Sequence, residues 1–110
     1  MNPVQFYKCL ADETRLISLL LIDKEGELCV CELTDALDVS QPKISRHLAQ
    51  LRNCGIVIGR KKDQWVFYSI NSKLADWAQN IITQTRKANP EYINNFLNRL
   101  RSSDNRPTCC

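Results

Sequence analysis

The chain has 110 residues, enough for one modest hydrophobic core. With 44% hydrophobic and 25% charged residues it has the composition of a globular domain. Its longest mainly apolar run, Leu16 to Ile22 with Ser18 within it, falls far short of the roughly 20 residues that cross a bilayer. The net charge of +3 permits an anionic partner without demanding one.

No signal peptide is visible at either end, which predicts a cytoplasmic protein without a membrane partner. Thiols are kept reduced in that compartment. The six cysteines, Cys9, Cys29, Cys31, Cys54, Cys109 and Cys110, therefore point to a thiol site or to inert buried side chains rather than to a disulfide framework.

In chain order, Pro3 suits the first turn of a helix running to about Leu10. Asp12 fits as N-cap of a second helix, near Glu13 to Asp23, whose apolar residues surround most of its circumference and make it central to the core. Gly26 ends the turn after it. A short third helix spans about Val30 to Leu37, with Val30, Leu33 and Leu37 on one side. "DVSQPK" breaks it, and Ser40 caps a fourth helix with Pro42 in its first turn, ending near Cys54 and Gly55. Ile44, Leu48 and Leu51 form the inner stripe of that helix.

The period then changes to that of strands. Ile56 to Ile58 and Trp65 to Ile70 read as a hairpin joined by a basic loop, with Trp65 and Phe67 on one side and Val66, Tyr68 and Ile70 on the other. Ser72 is expected to cap a fifth helix carrying Leu74, Trp77, Ala78, Ile81 and Ile82. Asn89-Pro90 opens a sixth, striped by Ile93, Phe96, Leu97 and Leu100. Residues 1–101 form one domain in this reading, and 102–110 a flexible tail.

Two short helices, a basic helix and a basic hairpin, in this order, predict a mainly α winged helix-turn-helix. A plain α+β domain without DNA binding is the alternative. With Ile44, Leu48 and Leu51 inward, Lys43, Ser45 and Arg46 lie off the core stripe and Gln41 sits in the first turn. That turn enters the major groove in a helix-turn-helix, where Gln, Ser and Arg address base edges or phosphates. A solvated polar face would look the same in isolation. Arg60, Lys61, Lys62 and Gln64 at the hairpin tip favour the DNA reading, because they suit the phosphates beside the groove. Trp65 reads as packing, and His47 as either a semi-buried polar residue or a backbone contact.

A homodimer is expected as well. The stripes of the first helix (Val4, Phe6, Tyr7, Leu10) and of the sixth (Ile93, Phe96, Leu97, Leu100) exceed what a core of this size covers. A two-fold interface would bury them and place two recognition helices about 34 Å apart on double-stranded operator DNA. Otherwise the sixth helix folds back on its own subunit.

Cys29 and Cys31 occupy positions i and i+2, turned about 200° apart in a regular helix. They can chelate one ion only where the backbone around them is not regularly helical, and they fall where the third helix begins. Cysteine-only ligation favours arsenic(III), antimony(III), cadmium or lead.

"LADETRL", "ELCVCEL", "SQPKISRHLAQLR" and "WVFYSI" resemble, in order and spacing, the ArsR–SmtB family of metal-responsive repressors, and its arsenic-sensing members above the others. The likeness covers about Phe6 to Ile82. It implies a homodimeric repressor that leaves operator DNA when a thiophilic ion binds. Gln41, Lys43, Ser45 and Arg46 match the family's recognition helix, and the Arg60–Gln64 stretch its wing. It also implies arsenic(III) or antimony(III) as effector at Cys29 and Cys31, with no resident cofactor.

The fuller family motif reads C-V-C-x-L-C, and Thr34 stands at its third cysteine. A third thiolate would come from Cys9, Cys54, Cys109 or Cys110 in either subunit, with the Cys109–Cys110 pair the most mobile candidate; or sulfur supplies two ligands only. Cys54 reads as structural, and Cys9 as core. Zinc sensors of the family use carboxylate and histidine ligands on the C-terminal helix, whereas the single histidine here, His47, lies elsewhere. Cadmium or lead sensing, and a thiol redox response, are the alternatives; a disulfide across one intervening residue is strained. No base accompanies Cys29 in the sequence, which argues against an enzyme.

Overall fold

Asn2 begins the described part of the chain, residues 2–102 of a computed structural model, by accepting the Gln5 N–H on its side chain at 3.2 Å. The elements that follow are α1 (Pro3–Leu10), α2 (Glu13–Glu25), β1 (Leu28–Cys29), α3 (Val30–Leu37), α4 (Gln41–Asn53), β2 (Val57–Lys62), β3 (Trp65–Ile70), α5 (Asp76–Ala88) and α6 (Pro90–Ser102). Asp12 caps α2 as expected, its Oδ1 accepting the Arg15 N–H at 3.0 Å. Gly26 ends that helix at φ 90°, a conformation that favours glycine. Leu19, Leu20, Leu21 and Ile22 are fully buried, so α2 is the axis around which the other helices assemble.

Asp38 takes a left-handed conformation (φ 54°) and turns the chain from α3 into α4. Ile44, Leu48 and Leu51 are fully buried, which fixes the rotation of α4 and turns the opposite face outward. The three strands form one antiparallel sheet in the order β1-β3-β2. Helix-turn-helix and wing thus stand in the expected winged arrangement.

Several local expectations are corrected. β2 does not stop at Ile58 but pairs with β3 up to Lys62↔Trp65, so Arg60, Lys61 and Lys62 lie on a strand and not in a loop. Repeated lysines on an edge strand are compatible with pairing on one side only. β1 was not anticipated, because two residues are too few to show a period. Ser40 occupies the N-cap position of α4 without a side-chain bond to the helix. The fifth helix begins at Asp76, not after Ser72. Asn71 instead shapes that turn, its side chain donating to the Gly55 carbonyl and accepting the Lys73 N–H, each at 3.0 Å.

The sixth helix, whose stripe was expected to serve a dimer, packs within the protomer. Ile93, Leu97 and Leu100 are buried against α3 and α2 of their own chain, and Phe96 is half-buried. Arg99 reinforces that docking by donating to the Ala36 carbonyl at 3.3 Å. Val4 and Tyr7 remain exposed on α1, at 61% and 53%. Ser102 closes α6 in helical conformation, while Cys109 and Cys110 lie outside the described residues. No helix among the described residues is long and apolar enough to cross a membrane.

Candidate nucleic-acid interface and thiol site

On α4, Gln41, Lys43 and Arg46 are exposed and Ser45 is half-buried. Lys61, Lys62 and Gln64 are exposed along the wing and its turn. The two sets present donors and positive charge on neighbouring elements, as base and phosphate contacts require.

Arg60 is different. Its Nε and Nη2 donate to the two carboxylate oxygens of Glu27, at 3.1 and 2.8 Å, and its guanidinium lies over the Phe67 ring at 5.2 Å. The hydrogen bond from Arg60 holds the Glu27 carboxyl below the usual carboxylate range. Arg60 therefore ties the wing to the segment before β1, and its charge is already met. Glu27 escaped the sequence reading because nothing local marks it as Arg60's partner.

His47 proves to be part of a half-buried junction. Arg15 donates from Nη1 to His47 Nδ1 at 3.2 Å and to Gln50 Oε1 at 2.6 Å, and from Nε to the Cys9 carbonyl at 2.6 Å. The other ring nitrogen of His47, Nε2, faces Asp12 at 3.8 Å. α1, the start of α2 and the middle of α4 are locked together here.

Cys9 and Cys54 line a separate pocket with Gln50 and Arg15. The Cys9 thiol donates to the Gln50 carbonyl at 3.6 Å, and burial together with the adjacent Cys54 thiol pushes its pKa up to about 12. Cys9 is thus a poor thiolate at neutral pH, in line with its reading as a core side chain. Cys54 is half-buried at the C-cap of α4.

The Cys29 and Cys31 sulfurs lie 3.2 Å apart. The helical projection would separate them, but Cys29 is not helical: at φ −99° and ψ 169° it is the extended N-cap residue of α3. Cys31 lies in the first turn. One extended residue followed by the start of a helix swings both sulfurs to one side. Two sulfur bonds of roughly 2.3 Å meeting at about a right angle span roughly 3.3 Å, so the pair already has the bite for one ion. The helix N-terminus favours negative charge at this point. Glu32 fixes the backbone by accepting the Cys29 N–H at 3.1 Å. Its spacing, three residues after the N-cap, is that of a capping box, with Cys29 where Ser or Thr is usual.

Cys29, Val30 and Cys31 line a cavity of about 410 Å³ together with Gln41 and Ser45 of α4 and Gln64, Trp65, Val66 and Tyr68 of the wing. Thiols, recognition-helix residues and wing thus share one space. The apolar contributors, Val30, Trp65 and Val66, were not singled out from sequence as site residues, since their pattern is that of ordinary packing. Thr34 contributes no ligand, because its Oγ1 donates to the Val30 carbonyl at 2.9 Å.

Comparison with known proteins places the chain in a family. Residues 12–58 match the family model described as bacterial regulatory protein, arsR family. The chain is 49% identical over 107 residues to an arsenic resistance transcriptional regulator of Pseudomonas putida, covering 97% of this chain and 84% of the relative. It is 44% identical over 111 residues to the arsenical resistance operon repressor of Escherichia coli K12, covering 97% and 95%. Among solved structures, reduced HlyU from Vibrio cholerae superposes with a TM-score of 0.68 at 36% identity, covering 77% of this chain and 85% of that one.

Proposed function

Since the chain belongs to the arsR family of bacterial regulatory proteins, a family of transcriptional regulators and not of enzymes, we propose that it represses an arsenic-resistance operon and is released by trivalent arsenic or antimony. α4 enters the major groove, where Gln41, Ser45 and Arg46 address bases and Lys43 the backbone. Lys61, Lys62 and Gln64 of the wing hold the flanking phosphates. Cys29 and Cys31 capture the effector.

The observation that carries this reading is the shared cavity, in which two sulfurs 3.2 Å apart meet Gln41 and Ser45 of α4 and Gln64 of the wing. An effector bound to the thiols intrudes between the two elements that grip DNA. The extended N-cap means that no helix has to unwind first.

Operator binding is by a homodimer. Val4 and Tyr7 of α1 and Trp77 of α5 are exposed around buried Phe6, whose ring meets those of Tyr7 and Trp77 edge-on at 5.4 and 5.2 Å. A second copy covering this patch supplies the two-fold symmetry that a palindromic operator needs. The test is fluorescence anisotropy of labelled DNA from upstream of the gene. Arsenite added to the reduced complex should return the anisotropy to that of free DNA, and an unchanged signal would refute the reading.

A further inference from the structure

Trivalent arsenic forms three bonds, and Cys29 and Cys31 supply two. Thr34 offers only a hydroxyl, a poor partner for a soft element, and that hydroxyl is turned back to the Val30 carbonyl at 2.9 Å. The Glu32 carboxylate is directed to the Cys29 N–H. Among the described residues no group of three Cys, His, Asp or Glu side chains could close around one ion. What adjoins the sulfurs instead is space, a cavity of about 410 Å³ whose lining includes Val30, Trp65 and Val66. Val30, Trp65 and Val66 form its apolar wall, and Gln41, Ser45 and Gln64 its polar one.

Resting on the thiol-site reading above, we infer that this site prefers monosubstituted organic arsenic(III), R–As(OH)2 with R an aryl group, over inorganic arsenite. Two As–O bonds break and two As–S bonds form. Each thiol proton leaves with a displaced hydroxide, so R–As(OH)2 and two Cys–SH give R–As(S–Cys)2 and two waters. Arsenic stays trivalent, and neither oxidant nor reductant takes part. The As–C bond is the third bond, so no further thiolate is required, and R lodges against Trp65 and Val66. Arsenite on the same two sulfurs keeps one hydroxide and forgoes a third As–S bond. The aryl group also stands between the first turn of α4 and the wing, which makes it the stronger antagonist of DNA binding.

The test is calorimetric titration of the reduced full-length protein with phenylarsine oxide (hydrated to the dihydroxide) and with arsenite, each against a dithiothreitol competitor. Referring both to the same free dithiol removes the intrinsic preference of any dithiol for the aryl compound. After that correction the phenyl compound should bind at least tenfold tighter. Thr34→Cys, which restores the third thiol, should tighten arsenite tenfold or more and leave the phenyl compound within twofold. Val66→Phe, which fills the cavity, should weaken the phenyl compound tenfold and leave arsenite within twofold. Should Val66→Phe fail to fold, the wild-type ratio and Thr34→Cys still decide the matter. A corrected ratio near one, or X-ray absorption showing three sulfurs around arsenite in the wild type, overturns the aryl preference alone. Binding of both compounds that survives Cys29→Ser with Cys31→Ser overturns the thiol site itself.

Discussion

Cys29 faces Phe67 across the antiparallel ladder of β1 and β3, so the first thiol of the pair is also a rung of the sheet that carries the wing. Cys31, two residues on, lies in the first turn of α3, the helix that supports α4. A ligand held by both sulfurs therefore acts on both DNA-gripping elements at once. Hundredfold release needs about 2.7 kcal/mol of coupling, within the usual allosteric range. By reciprocity, operator DNA weakens effector binding by the same factor.

The two DNA-facing elements should fail in different ways. Lys61→Ala with Lys62→Ala weakens binding to all DNA and lowers the salt slope by roughly two, since about two phosphate contacts are lost. Gln41→Ala or Ser45→Ala costs about 1–3 kcal/mol on the operator and little on random DNA. Salt-dependent anisotropy titrations on both DNAs check this division, and equal losses for both sets would contradict it.

Glu27→Gln should strengthen DNA binding. It removes the carboxylate that engages Arg60 at 2.8 Å and frees one cation beside Lys61 and Lys62. The affinity for random DNA rises at low salt, and the salt slope steepens by about one. Fold stability changes little, because a half-exposed ion pair contributes about 0–1 kcal/mol. An unchanged slope in the same titration would mean that Arg60 stays engaged elsewhere.

Asp12→Ala should lose about 1 kcal/mol of stability with its N-cap. The folded carboxyl is held below its ordinary value, first by the Arg15 N–H and also by the charges of His47 and Arg15. A depressed folded pKa means that the stabilisation is complete above the unfolded value, about 3.9, and fades as pH falls through the lower folded value. Urea unfolding should show a constant gap between wild type and variant at about pH 5 to 7, narrowing below about pH 4. A gap that widens on acidification would have the opposite sign and reject this assignment.

Much of this architecture was legible in the sequence because it is written in strong periods and caps. Ile44, Leu48 and Leu51 at i, i+4 and i+7 oriented α4, and Asp12 marked the start of α2. Other features depend on partners distant in sequence. Nothing near Arg60 announces Glu27, and nothing near Ile93, Leu97 and Leu100 tells whether α3 of the same chain or a second subunit will cover them. The thiol pair was legible as a pair, but its 3.2 Å approach rests on one extended residue, below the resolution of any periodic pattern.

The dimer patch is proposed where the protomer leaves apolar side chains exposed. Val4→Glu with Tyr7→Glu should give folded monomers, since both side chains are exposed in the protomer. Ile93→Glu should instead unfold the chain, because it buries an unpaired carboxylate against α3 and α2. Sedimentation combined with circular dichroism separates the outcomes. A folded dimer from the Val4–Tyr7 variant would place the interface elsewhere.

The central claim is that Cys29 and Cys31 connect effector to operator, and an arsenite titration of the operator complex tests it most directly. Wild-type protein should lose its operator at least a hundredfold more readily once arsenite saturates it. Cys29→Ser with Cys31→Ser should bind operator with nearly wild-type affinity and keep it at every arsenite concentration that releases the wild type. Release of the double variant at the wild-type concentration would contradict the account.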